Sequence, residues 1–154
     1  MTVKNHALVL LCALISVTTS SAARAAGNSP AIAYKLHCMG CHLDDGTGSA
    51  MGLIPPIPGI AGHLLKHEKG RLYLVNVPGV ANSGLPSAET AALLNYVLMT
   101  WSSKDIPKDF VPFTGEEVDD LRRTQVQDIS LLRKEIMAGL ATQGIDIHYP
   151  LERH

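Results

Sequence analysis

In several segments of this 154-residue chain, apolar residues recur at helical spacing. No segment shows the strict alternation that marks a half-buried strand. The clearest helical pattern lies between Ser87, which can cap a helix, and Trp101. Its apolar positions form one stripe, as expected for a helix that packs against a core: Leu93, Leu94, Val97, Leu98 and Trp101. The pattern predicts an all-α fold.

Shorter helices are predicted before this one. Ser29 is an N-cap candidate, and Pro30 suits the first position of a helix because its missing N–H is not needed there. The side chains expected to face inward from this first helix are Ile32, Tyr34 and Leu36. One or two further short helices are expected over residues 61–77, with a break near Gly70.

Two more helices are predicted in the last third of the chain, residues 103–154. Thr114 and Glu117 form a capping box that opens a short helix to about Arg123. A second helix is predicted over residues 128–143, with four apolar positions on one face: Ile129, Leu132, Ile136 and Leu140. We interpret this C-terminal extension as a wrap that covers the core; the alternative is an element that binds a partner protein.

The N-terminus has the pattern of a secretory signal. Lys4 precedes an apolar run over residues 7–17, which contains Cys12, and small residues with an Ala-x-Ala site follow. The run is shorter than the roughly 20 residues that span a bilayer, so cleavage after Ala25 is favoured over a retained anchor. We predict a signal peptide over residues 1–25, a mature chain in the periplasm and no membrane span after cleavage.

Composition adds two constraints. The predicted mature chain has 11 Lys plus Arg against 14 Asp plus Glu, so its charge gives no indication of nucleic-acid binding. Aromatic residues make up only 5% of the chain. A core of ordinary size must therefore rest on aliphatic side chains or on a group that is not protein.

The mature chain keeps two cysteines, Cys38 and Cys41, in the sequence Cys-Met-Gly-Cys-His. A disulfide between them would close a very short loop and stabilise little. A redox-active dithiol is typical of a βαβ pattern, which is missing from this sequence. A zinc site could add His63 and His67, but their separation from the cysteines is long, and His42 would have no role.

Covalent attachment of haem c gives each residue of this motif a task. The two thiols add to the two haem vinyl groups as thioethers, and His42 is held under the ring, where it can ligate the iron. Attachment of this kind takes place outside the bacterial cytoplasm, in agreement with the predicted signal. One haem would also supply the large apolar body that the few aromatic residues do not.

The order of a tyrosine, "CMGCH", "DGTG" and "IPPIPG" resembles a class I c-type cytochrome. The resemblance implies a mono-haem, exported electron-transfer protein rather than an enzyme. It implies that the last helix of residues 26–102, the cytochrome c domain, packs across the first helix. It also implies that a proline carbonyl, Pro55 or Pro56, orients His42. Implied partners are redox proteins, a donor dehydrogenase and a downstream acceptor.

Arg71 belongs to a short basic cluster that extends over residues 63–71. This cluster is either a solvated face or a docking patch for an acidic partner. Given a haem, Arg71 is the residue of this cluster that we expect to contact a haem propionate.

The sequence departs from the resemblance in the loop before the last long helix. Class I cytochromes have a methionine there that ligates the iron from its second side, whereas residues 77–86 contain no Met, His or Lys. Side chains outside this loop that could be the sixth iron ligand are Met51, Met99, His63 and His67. Otherwise a weaker group, Asn82 or water, could take this position, or the iron could have no sixth ligand. An open second side would favour the alternative function, a sensor of small ligands or a redox enzyme.

Overall fold

The computed structural model describes residues 28–49 and 53–147, so the predicted signal peptide and Met51 lie outside the described residues. Within these ranges there are eight helices and no strand beyond one antiparallel bridge between Ser49 and Ile54. The helices are α1 (Pro30–His37), α2 (Met39–His42), α3 (Ala61–Leu64), α4 (Gly70–Asn76), α5 (Pro78–Ala81), α6 (Ser87–Trp101), α7 (Gly115–Arg123) and α8 (Ile129–Thr142). The all-α prediction is confirmed.

Capping residues fix where the predicted helices begin. The Ser29 hydroxyl accepts a hydrogen bond from the backbone N–H of Ile32 at the start of α1. Thr114 accepts from the N–H of Glu117 at the start of α7. The Asp128 carboxylate accepts two backbone N–H groups at the start of α8. Each cap satisfies amide groups that would otherwise lack a partner in the first turn of the helix.

Two local predictions are wrong. Ile32 and Leu36 are 47% and 65% exposed, because α1 turns Ala33 and Tyr34 toward α6 instead. Ser87 is the first residue of α6 rather than its cap, and its hydroxyl donates to the carboxylate of Asp119 in α7.

The crossing of α1 and α6 is built from aromatic rings. The ring of Tyr34 lies 4.5 Å from that of Trp101 and 6.5 Å from that of Tyr96, measured between centroids. Trp101 and Tyr96 meet edge to face, a favoured geometry for aromatic pairs. Three of the chain's few aromatic residues are therefore concentrated at the one crossing that lies beside the Cys-x-x-Cys-His motif.

The C-terminal helices belong to the same core. Helix α7 packs against α4 and α6, and α8 packs against α3 and α4. Val118 of α7 and both Ile136 and Leu140 of α8 are fully buried among the residues of the earlier helices. Burial of an aliphatic side chain of this size stabilises a fold by roughly 1.5–3 kcal/mol.

The extension also pairs with three members of the basic cluster. His63 pairs with Asp105, Lys69 with Glu135, and Arg71 with Glu117. Each of these three carboxylates lies after residue 102. Three members of the cluster are therefore paired within the chain, and the docking of an acidic partner at this cluster stays a prediction.

Candidate haem-attachment site

The motif occupies one turn. Cys38 ends α1 and caps α2, which contains Cys41 and His42. The N–H groups of Cys41 and His42 both donate to the Cys38 carbonyl, at 3.1 and 2.9 Å. Cys38 is half-buried and Cys41 is exposed, and neither forms a disulfide. Two free thiols thus flank one helical turn, and the imidazole follows directly.

A backbone carbonyl fixes the tautomer of His42. Its Nδ1 lies 3.1 Å from the carbonyl oxygen of Pro55. Because a carbonyl can only accept, Nδ1 carries the proton and donates. Burial lowers the pKa of His42, and the hydrogen bond to Pro55 opposes this shift. The imidazole is neutral, with the lone pair of Nε2 free, which is the form that ligates a metal.

The Pro55 carbonyl is held in place by the glycine-rich loop beside it. Ser49 and Ile54 exchange two backbone hydrogen bonds of 3.0 and 2.9 Å. The N–H of Gly48 donates to the carbonyl of His42. A Cβ atom on Gly48 would lie within 2.6 Å of the backbone oxygens of both Ile54 and Pro55. Only glycine permits this close approach of the loop to the backbone of Ile54 and Pro55.

A buried tyrosine supports the residue after the motif. Leu43 has φ 63° and ψ 178°, a backbone conformation that is costly for a residue with a side chain. The hydroxyl of Tyr34 donates to its carbonyl at 2.7 Å. Burial, followed by the neighbouring Cys38, raises the pKa of Tyr34 to about 12. The phenol therefore remains a donor across the physiological pH range.

The geometry disfavours the competing interpretations of the motif. Burial, followed by the neighbouring Cys41, raises the pKa of the Cys38 thiol to about 11, whereas reactive dithiols need a lowered pKa. Across residues 28–49 and 53–147, no three His, Cys, Asp or Glu side chains meet in a group that could hold a metal ion. His63 and His67, the proposed zinc partners, contact other residues instead.

The chain is 32% identical over 121 residues to a cytochrome c-552 of Thermus thermophilus, in an alignment that covers 67% of this chain and 92% of that protein. This chain belongs to the c-type cytochromes. A second cytochrome c-552, from a named strain of the same species, is also 32% identical over 121 residues, and 81% of it is covered. No family model matches the chain.

This cytochrome is an electron-transfer protein with a covalently bound haem c, and the residues present fit that group. Cys38 and Cys41 would hold it through thioethers, and Nε2 of His42 would ligate its iron. The bound haem supplies one-electron chemistry through the ferrous and ferric states of its iron. The Pro55 carbonyl orients the imidazole and raises its basicity.

Four candidates for the sixth ligand occupy described positions. His63 contacts Asp105 and lies 3.0 Å from the Lys66 ammonium through Nδ1. His67 accepts from the N–H of Lys69 through Nδ1, and its ring lies against Gly139 in α8. Both imidazoles therefore contact other residues on the side of the molecule that the extension covers, rather than the Cys-x-x-Cys-His turn.

Met99 and Asn82 are exposed, Met99 on α6 and Asn82 at the end of α5. Neither is brought to the Cys-x-x-Cys-His turn by a contact that the structure describes. Met51, the remaining thioether candidate, lies outside the described residues.

Arg71 does not join the motif. Its guanidinium donates to both carboxylate oxygens of Glu117 and to the carbonyl of Val111, and it lies 3.8 Å from the centroid of the Phe113 ring. It also borders a cleft of about 350 Å³ that is lined mainly by residues of the segment 107–111. Arg71 therefore anchors the extension, and the structure gives no support to its predicted contact with a haem propionate.

Proposed function

We propose that this cytochrome carries single electrons in the periplasm, from a dehydrogenase to a downstream acceptor, and that it performs no bond chemistry of its own. The observation that carries the proposal is the Cys-x-x-Cys-His turn itself. His42 is fixed by Pro55 while Cys41, one residue away, is exposed. A haem attached there would have one edge near solvent, where electrons can pass to and from partner proteins.

The periplasmic location rests on the signal-peptide pattern of residues 1–25 and on the chemistry of haem attachment. In the described residues, none of the helices has both the length and the apolar character that crossing a bilayer requires. The dehydrogenase rests on the resemblance to class I cytochromes, in which soluble carriers serve such enzymes.

The first test compares the full chain with a variant that lacks residues 2–25, each produced in a bacterium that matures c-type cytochromes. We expect haem-stained protein in the periplasmic fraction from the full chain alone. The purified ferric protein should then be reduced by periplasmic extract of the source organism when an oxidisable alcohol, amine or sugar is added. Heated extract is the control. Haem-loaded protein in the cytoplasm, or no reduction with any substrate class, would contradict the proposal.

The composition of residues 77–86 favours a second candidate, the binding of small ligands at the iron. This segment has no side chain that ligates haem iron strongly, and both His63 and His67 have partners elsewhere. Under this candidate, the reduced protein binds carbon monoxide within the mixing time, with a shift of its Soret band. A reduced spectrum that carbon monoxide leaves unchanged would mean that a chain residue such as Met51 occupies the site, and would rule this candidate out.

A further inference from the structure

The connection from α4 to α6, residues 77–86, is fastened at both ends by α7. At its start, Asn76 is the last residue of α4. The side-chain amide of Asn76 donates to the carbonyl of Leu121 in α7 at 3.2 Å, and to the carbonyl of Leu72 at 2.9 Å. The point at which the chain leaves α4 is therefore tied to a residue 45 positions later.

At the other end, one guanidinium of α7 makes three hydrogen bonds, in addition to a bond from the Thr90 hydroxyl to the Leu85 carbonyl. Arg122 donates to the carbonyl of Leu85 at 3.1 Å, to the hydroxyl of Thr90 at 2.9 Å and to the hydroxyl of Ser87 at 2.9 Å. Thr90 is fully buried and Leu85 is 9% exposed, while Arg122 is half-buried. The hydroxyl of Ser87 in turn donates to Asp119 of α7.

Burial makes this fastening stronger than the neighbouring ion pair. The next residue, Arg123, pairs with Asp120 on the same helix, but their side chains are 71% and 61% exposed. Exposed pairs contribute little because water screens them. Hydrogen bonds from a charged donor to partly buried acceptors are stronger, and the rigid fork of an arginine can serve several acceptors at once.

The segment is apolar toward the core. Val77 and Val80 pack against the same core that Cys38 borders, and Leu85 is buried in it. The resemblance to class I cytochromes places this segment over the side of the haem opposite His42. The inference below rests on that placement and on the proposed haem function.

We propose that Arg122 is a positioning residue that holds residues 77–86 over the second axial side of the haem. It thereby sets how readily a ligand from solution reaches the iron. The extension does more than cover the core, because α7 connects directly to both ends of this segment. The loss of Arg122 would remove its hydrogen bond to Leu85 and leave the Leu85 carbonyl with the longer bond from Thr90, while the Cys-x-x-Cys-His turn and its contact with Pro55 stay intact.

The test uses the full-length, haem-loaded protein and imidazole as the probe. Stopped-flow absorbance measures the association rate of imidazole with the ferric form of wild type, Arg122→Leu and Arg123→Leu. We expect association about tenfold faster in Arg122→Leu, because the loss of charge-assisted hydrogen bonds raises the open population of the segment by about that factor. Arg123→Leu, the matched control on the same helix, should behave as wild type.

A second variant, Asn76→Ala, releases the other end of the segment and should also accelerate association, by a smaller factor. If Arg122→Leu does not mature, the imidazole rate of Asn76→Ala tests whether the ties to α7 limit access to the iron. Arg122→Leu with a lower melting temperature but an unchanged imidazole rate would mean a merely structural role and would overturn the proposal. A wild-type protein without a haem spectrum would instead refute the proposed function. If haem is present but electron transfer fails, the imidazole rates of the variants still test the role of Arg122.

Discussion

Replacement of both Cys38 and Cys41 by serine abolishes covalent haem attachment and prevents the chain from reaching its native fold. Serine forms no thioether with a vinyl group under conditions of haem maturation. Tyr34, one of the three aromatic rings at the crossing of α1 and α6, binds the carbonyl of Leu43 directly after the motif, and the haem is expected to add a large apolar body to this part of the core. Without it, a small core loses its largest apolar component and its covalent staple.

The measurement is haem staining after denaturing electrophoresis, combined with circular dichroism of the purified chain. Cys12→Ser is the matched control, since the same substitution in the predicted signal peptide should leave staining and helicity unchanged. Each single variant, Cys38→Ser or Cys41→Ser, should retain at most one thioether and mature poorly. A doubly substituted chain that keeps haem after denaturation would contradict the assignment of these two residues.

Gly48→Ala is the second substitution with a large expected effect. A Cβ at this position would lie within 2.6 Å of two backbone oxygens, those of Ile54 and Pro55, which cannot move aside as a flexible side chain can. The residue also has φ 71°, a conformation that disfavours any side chain. We expect a loss of roughly 3 kcal/mol or more in the free energy of unfolding.

Gly144→Ala separates the two contributions. Gly144 has a similar φ of 74°, but a Cβ there would meet nothing within 4 Å. It should cost only about 1 kcal/mol, the strain of the backbone alone. Urea unfolding of the haem-loaded variants gives both values. Equal losses in the two variants would show that Gly48 does not approach the backbone of Ile54 and Pro55 this closely. The Gly48 variant should also change the reduction potential, because the Pro55 carbonyl that orients His42 is displaced.

Features that depend on neighbouring residues in sequence were predictable. The Cys-x-x-Cys-His motif occupies the consecutive residues 38–42. The caps at Ser29, Thr114 and Asp128 bind backbone groups two or three positions further along the chain. Local chemistry determines such features before any tertiary contact forms. The hydrogen bond from His42 to Pro55 spans 13 residues, and it was implied by the resemblance to a family rather than by spacing.

Features that depend on which elements meet were not predictable. The exposed face of α1 follows from the side on which α6 crosses it, so periodicity alone selected Ile32 and Leu36 wrongly. Arg71 binds Glu117 at a sequence separation of 46 residues, and Arg122 binds Ser87 at a separation of 35. No short-range pattern marks such pairs. The two glycines of "DGTG" predicted a loop, but the close approach of Gly48 to Pro55 is visible only in the structure.

We propose that this chain is a one-electron carrier whose haem is held by Cys38 and Cys41 and ligated by His42. The most direct test is a spectroelectrochemical titration of the full-length, haem-loaded protein, followed in the Soret and α bands. We expect a single reversible transition with the slope of a one-electron couple. His42→Gly should lose that transition and regain a low-spin spectrum when imidazole is added. An irreversible response would contradict one-electron transfer by this haem, and a His42→Gly titration identical to that of wild type would contradict the role of His42 as iron ligand.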